Sequence, residues 1–420
     1  MQVAKKPFGA VSRGFNFYMK QERDWKVSML RTNLTMFLYK IVLPYLSIYT
    51  MALGATGTQL GIVNSIGMVI AGILAPLGGW LIDRTGIKKI YLSGIVVLVI
   101  SYLIYGLAQN WSIIIVAMIA YQVGMFISML GDGTICGNCL KSEERTTCMA
   151  ICETFGMGLL GLAAPLIGAW LVRTSGGVNV EGIRPLFFVC MIGIIITFFI
   201  VLTQISNRRW GSTGETKLNF MQGISQVFRE GHNLKRMIII TALSGMQMGV
   251  AVPYIQPFAH EFKGAEEFVL GAMITANAVA PLVLGIPLGR LSDKIGRKKV
   301  IYLSMPFIAS SYLMLILAPN YGFLIASGAL LGFLPVSTVT TGAMGRELVP
   351  PSQMGRWNGI LSLSRMWFGA LTVYLFGLVW DHIGPQWVFV GVMAIELTRI
   401  PFVLGMPETL GTRWDQNSPD

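Results

Sequence analysis

Apolar residues along this chain gather into twelve long runs, at 30–50, 58–82, 89–107, 112–140, 147–172, 185–205, 237–258, 269–291, 300–318, 321–345, 357–379 and 386–405. A helix of about 20 such residues crosses the roughly 30 Å of hydrocarbon in a bilayer. Within the runs apolar and polar residues do not alternate as they would in a membrane strand, and lipid leaves no unpaired backbone group satisfied. The pattern therefore predicts twelve transmembrane helices. Pro44, Pro165, Pro253, Pro257, Pro281 and Pro335 fall inside runs, where they mark packing or bending points.

One long polar interruption, 206–236, divides the runs into two sets of six. It contains Phe220, Ile224, Val227 and Phe228 at spacings that line one helical face among basic residues, which predicts an amphipathic helix on the membrane surface. The expected organisation is an N-terminal segment 1–27, a six-helix bundle 28–205, a central loop 206–236, a second bundle 237–406 and a tail 407–420.

Composition agrees with lipid as the solvent: 54% of residues are hydrophobic and 12% charged, about half the charge of a soluble domain. Lys and Arg crowd the loops on the side of the two termini, leaving Arg173, Arg184 and Lys263 on the other. By the positive-inside rule both termini face the cytoplasm, in a plasma or inner membrane. The net charge of +12 then reflects topology and anionic lipid, not a nucleic-acid partner. The basic N-terminus lacks the short apolar core of a removable signal peptide. Cys136, Cys139, Cys148 and Cys152 have a superficially metal-like spacing. With no histidine nearby they read as small packing residues, so no metal site is expected.

Two short clusters interrupt the greasy pattern. Gly79-x3-Asp83-Arg84-x-Gly86-x-Lys88-Lys89 joins spans two and three; Gly289-x3-Asp293-Lys294-x-Gly296-Arg297-Lys298-Lys299 joins spans eight and nine. The second aspartate lies half of the 420-residue chain beyond the first. Arg145 after span four and Arg356 after span ten repeat at nearly the same offset, which indicates duplicated halves.

The paired clusters, the twelve spans and the basic central loop resemble the major facilitator superfamily of transporters, over essentially the whole chain from Leu30. The resemblance implies an all-α membrane protein of two pseudo-symmetric six-helix bundles that rock about a central site. It also implies latches on the cytoplasmic side. Asp83 would meet the start of span eleven near Arg356, and Asp293 the start of span five near Arg145, each acid at the positive end of a helix. Asp132 in span four would pair with the first hairpin's bases.

Charges inside spans are functional candidates because insertion costs about 2.5–3.5 kcal/mol each. Lys40 shares a helical face with Asn33 and Ser47, and Arg365 one with Asn358, Ser362, Gly369 and Thr372. Spans one and eleven border the central cavity in the family fold. Lys40 and Arg365 are therefore expected to meet a bound anion, with Asn33, Gln122 and Tyr254 as further solute contacts; pairing of either base with Glu153 or a backbone carbonyl is the alternative. Tyr45, Tyr121, Trp367, Met125, Met129, Met246 and Met248 are possible borders of the same cavity. Arg31 is expected to snorkel to headgroups. Glu396 and Arg399 are expected to pair with each other in a peripheral span. Glu153 is the first candidate for proton coupling and Asp132 the second.

Span five, "GLLGLAAPLIGAWL", partly resembles the antiporter signature of the drug/proton branch. Ala120, however, stands where that branch carries an arginine in span four. The expectation is a secondary transporter of a small organic solute, an organic anion or amphipathic compound being favoured. A proton-coupled multidrug antiporter is the alternative, and a transporter-like sensor the reading from another class. No cofactor is expected beyond a proton or ion gradient, and the protein is expected to be a monomer. Catalytic clusters and nucleotide loops are missing, so an enzyme is not expected.

Overall fold

A computed structural model describes residues 21–74, 87–139, 160–206, 233–349 and 354–408. Within these it contains fourteen helices and no strand. They are α1 (Arg23–Val42), α2 (Leu46–Ala52), α3 (Gly57–Leu74), α4 (Ile87–Leu107), α5 (Trp111–Cys139), α6 (Leu160–Thr174), α7 (Val180–Gln204), α8 (Leu234–Lys263), α9 (Glu267–Ile295), α10 (Arg297–Leu317), α11 (Tyr321–Leu331), α12 (Phe333–Arg346), α13 (Met354–His382) and α14 (Pro385–Leu404).

Ten spans among the described residues are long and apolar enough to cross a bilayer. The first predicted span is bent by 43° between α1 and α2. Pro44 in the break has no N–H to continue the helical ladder, which accounts for the bend. α6, described from Leu160 onward, takes the fifth position, and α11 with α12 the tenth. Twelve spans result. Loop residues cap several helices: Asn179 Oδ1 accepts the Gly182 N–H at 2.8 Å, and Asn320 Oδ1 that of Phe323 at 3.2 Å.

The halves repeat each other in detail. Ser101 Oγ donates to the Ala117 carbonyl at 2.8 Å, stapling α4 to α5. Half the chain later Ser311 Oγ donates to the Ser327 carbonyl at 2.9 Å, stapling α10 to α11. Large apolar side chains such as Ile192, Ile196 and Phe199 on α7 point away from the protein, as a lipid-facing surface requires.

The starts of α1, α8 and α10 and the ends of α7 and α14 meet at one end of the molecule, here the near end. Asp24 accepts the Ser206 N–H at 3.0 Å, and Arg236 bonds to the Gly405 carbonyl. Lys298 Nζ donates to the Leu404 carbonyl at 2.6 Å. The opposite, far end carries the α3, α9 and α14 starts and the α6 and α13 ends.

The α9–α10 hairpin shows why its motif needs glycine. Gly296 has φ +108°, and its neighbour's N–H is received by Glu408 Oε1 at 2.8 Å. A side chain at 296 would strain the backbone and collide with that carboxylate. Gly296→Ala is expected to cost about 1–2 kcal/mol or more, read as a lower melting temperature in detergent with little change in solute specificity.

Candidate functional site

The two halves touch across the far part of the molecule. Tyr45 OH donates to the Glu267 carbonyl at 2.8 Å, and Thr275 Oγ1 to that of Leu162 at 3.0 Å. Ser65 Oγ donates to the Ala370 carbonyl at 2.6 Å. The Asp381 carboxylate accepts the N–H groups of Gly57 and Thr58, both at 2.8 Å. Arg173 and Glu267 approach to 3.9 Å, and the Arg173 guanidinium lies 5.6 Å from the Phe268 ring centroid. Trp380 packs on Tyr254, Phe258 and Phe262 at centroid distances of 5.3, 6.4 and 5.8 Å. Donor-rich helix starts, tight glycines and an aromatic plug close this end.

The contact follows α3 and α13 as far as Gly72, where a side chain would press on Trp367. Toward the near end Gly285 and Gly289 on α9 and Gly359 on α13 have no described atom within 4 Å of where a side chain would begin.

Lys40 occupies the last turn of α1, just before the bend, and is half-buried. Tyr39 beside it stacks on Tyr121 of α5, with centroids 5.5 Å apart and rings 23° from parallel. Tyr102 meets the Tyr121 ring edge-on at 6.2 Å. Gln122 and Met125, on the same helix as Tyr121, are also half-buried. In the other half Arg365 is half-buried in the middle of α13, and its Nε has no hydrogen-bond partner. Its backbone is pressed against Gly245 of α8. One base thus stands in each half, with an aromatic pair beside the first.

Several expected partners lie elsewhere. Tyr254 is fully buried, its hydroxyl between the Gly57 and Val373 carbonyls at 3.0 and 2.9 Å. It belongs to the far seal. Tyr45 likewise bridges the halves at the far end. Asn33 and Ser47 are buried while Lys40 is half-buried, so the three do not present one polar stripe; Ser47 lies beyond the 43° bend between α1 and α2. Arg31 is buried and lies 4.6 Å from the Tyr91 ring centroid, not among headgroups. The quadrupole of that ring supplies a partner within reach.

Glu396 and Arg399 do pair, at 3.8 Å. They are not peripheral. Glu396 accepts from Gln247 of α8, and Arg399 donates to Thr341 Oγ1 at 2.8 Å and Ser337 Oγ at 3.3 Å on α12. The pair fastens three helices of the second half.

For the latch motifs, Gly79, Asp83, Arg84, Gly86, Arg145 and Glu153 lie outside the described residues. Asp132, Asp293 and Arg356 are placed on α5, α9 and α13, with side chains outside the described ones. Lys88 and Lys89 open α4. Lys294 is exposed in the last turn of α9, and Arg297 pairs with Glu347 at 2.9 Å. Asp381, which closes the far end, carried no weight in the sequence reading. Among the described residues no group of His, Cys, Asp and Glu could hold a metal ion.

Two pseudo-symmetric six-span halves, joined across the far end and each carrying a half-buried base within a span, have the architecture of a membrane transporter. The chain belongs to the Major Facilitator Superfamily, which it matches over residues 29–233 and 237–413. Among similar proteins, Multidrug resistance protein MdtG of Escherichia coli O9:H4 (strain HS) is 26% identical over 300 residues, covering 68% of this chain and 70% of that protein. The nucleoside transporter NupG shares the fold with a TM-score of 0.74 at 13% identity, over 91% of this chain and 99% of that one. The human organic anion transporter MFSD10 (TETRAN) aligns with a TM-score of 0.59 at 14% identity, over 91% and 99%.

Proposed function

We propose that this transporter moves an amphipathic organic anion by alternating access, and that the described state is the inward-open one. The single observation behind the substrate class is the pair of half-buried bases, Lys40 and Arg365, one in each half. Charge inside a membrane protein is retained where it meets a partner of opposite sign, and an anion held between the halves meets both bases. The Tyr39–Tyr121 stack beside Lys40 offers a flat apolar surface to the rest of the solute. The excess of Lys and Arg at the near end supports a cytoplasmic near end, in a plasma or inner membrane. The protein acts as a monomer driven by a proton or other ion gradient, with Glu153 and Asp132 as coupling candidates.

A second reading, proton-coupled multidrug efflux, is favoured by the likeness to MdtG. Counterflow in proteoliposomes separates the two. Across a panel of organic anions and lipophilic cations, with and without a pH gradient, the first reading expects exchange of anions. Exchange of lipophilic cations alone, lost in Glu153→Gln, would reverse it.

A further inference from the structure

The far-end closure contains a third copy of the hairpin motif. Gly377-x3-Asp381-His382-x-Gly384 reproduces the order of Gly79-x3-Asp83-Arg84-x-Gly86 and Gly289-x3-Asp293-Lys294-x-Gly296. It differs in carrying histidine in place of the first base, and in lying at the far end of span eleven.

The three key positions each behave as the motif requires. Gly377 packs where a side chain would press within 2.8 Å of the Gly57 carbonyl and the Thr58 Cα, so the ends of α13 and α3 touch backbone to backbone. Asp381 takes the N–H groups of Gly57 and Thr58, one on each carboxylate oxygen, and the Thr56 and Thr58 hydroxyls face it as well. An acid from one half thus caps the positive start of a helix in the other. Gly384 has φ +138°, in the same region as Gly296, which holds the corresponding motif position at +108°. The first glycines give the contrast. Gly377 is tightly packed at the closed end, whereas Gly289 meets no described atom within 4 Å.

Spans two and eleven run antiparallel. The acid ending span eleven therefore lies beside the start of span two, the converse of what the family resemblance implies for Asp83 and the start of span eleven. We infer that Asp381 is a far-side latch: its carboxylate holds α3 in the inward-open state and releases it when the far side opens. It is a positioning residue for transport and touches no solute. The inference rests on alternating access, but not on the role of Asp83 or on the identity of the solute.

Double electron–electron resonance on otherwise cysteine-free protein tests it. One spin-label pair reports the far end (Asn110→Cys with Gln386→Cys) and another the near end (Lys89→Cys with Lys299→Cys); all four positions are exposed. Asp381→Asn keeps the shape and removes the charge. It should raise the ratio of far-open to far-closed molecules about tenfold, the scale of one charge-assisted hydrogen bond. The near-end distances should shorten in step, and Asp381→Glu should keep the parent distribution. Unchanged far-end distances in Asp381→Asn overturn the inference. So does a broadened far end with no shift at the near end, which marks a merely structural contact. Asp83→Asn, measured in parallel, moves the near end if the family latch operates; its failure alone leaves Asp381 untouched.

Discussion

Glu396→Ala should destabilise the second half by about 3–5 kcal/mol, the cost of stranding a buried charge. Arg399 is 0% exposed and Glu396 2% exposed. Removing the carboxylate leaves the guanidinium with only Thr341 and Ser337 hydroxyls, and leaves Gln247 without its acceptor. The loss should appear as a large drop in melting temperature in detergent and a low yield of monodisperse protein. Charge, and not packing volume, is the cause. The double variant Glu396→Leu with Arg399→Met should therefore recover most of the loss, since well-packed apolar pairs can replace a buried ion pair. A single variant that melts like the parent, or a double variant as unstable as the single, contradicts this reading of the network.

The largest functional effect is expected at the two half-buried bases, Lys40 and Arg365. Lys40→Ala and Arg365→Ala should each weaken apparent affinity for an anionic solute about tenfold or more, by removing a charge-assisted contact in a partly dry site. Both proteins should fold, because Lys40 and Arg365 are only half-buried and not sealed in the core as Arg399 is. Counterflow with an anion and a neutral analogue of similar shape checks the cause. The anion should lose affinity while the analogue does not. Equal losses for both would show that the substitutions disturb the site and carry no charge recognition.

Much of the architecture is legible in the sequence because lipid constrains it so strongly. Runs each long enough to cross a bilayer and a single long polar interruption leave little choice but two six-helix halves. The same is true of Glu396 and Arg399, one turn apart on one helix. Their partners Gln247, Ser337 and Thr341 come from helices far away in the chain, and no spacing rule reaches them. Tyr254 was misplaced for a related reason. Hydropathy says that a tyrosine is in a span, but not which neighbour its hydroxyl meets, and here it meets two carbonyls of the far seal. Of the Lys40 stripe, Ser47 lies beyond the 43° bend at the α1–α2 break, which a face drawn on a straight helix does not foresee; Asn33 shares the helix of Lys40 and is buried by neighbours that no spacing rule names. Asp381 was readable in principle, since its flanking glycines match the hairpin motif. At a span end a lone acid looks like any solvated charge until the helix start it caps is seen.

The account stands on the breaking of the far-end contact in every transport cycle. Ser65 on α3 and the Ala370 carbonyl on α13 are 2.6 Å apart across that contact. Ser65→Cys with Ala370→Cys in otherwise cysteine-free protein can tie the halves by a disulfide, and reductant can free them. Solute counterflow in proteoliposomes should cease in the cross-linked protein, binding from the near side should persist, and reduction should restore flux. Fully cross-linked protein that exchanges solute at the rate of its reduced form would show that the halves do not part there, and the alternating mechanism would fall.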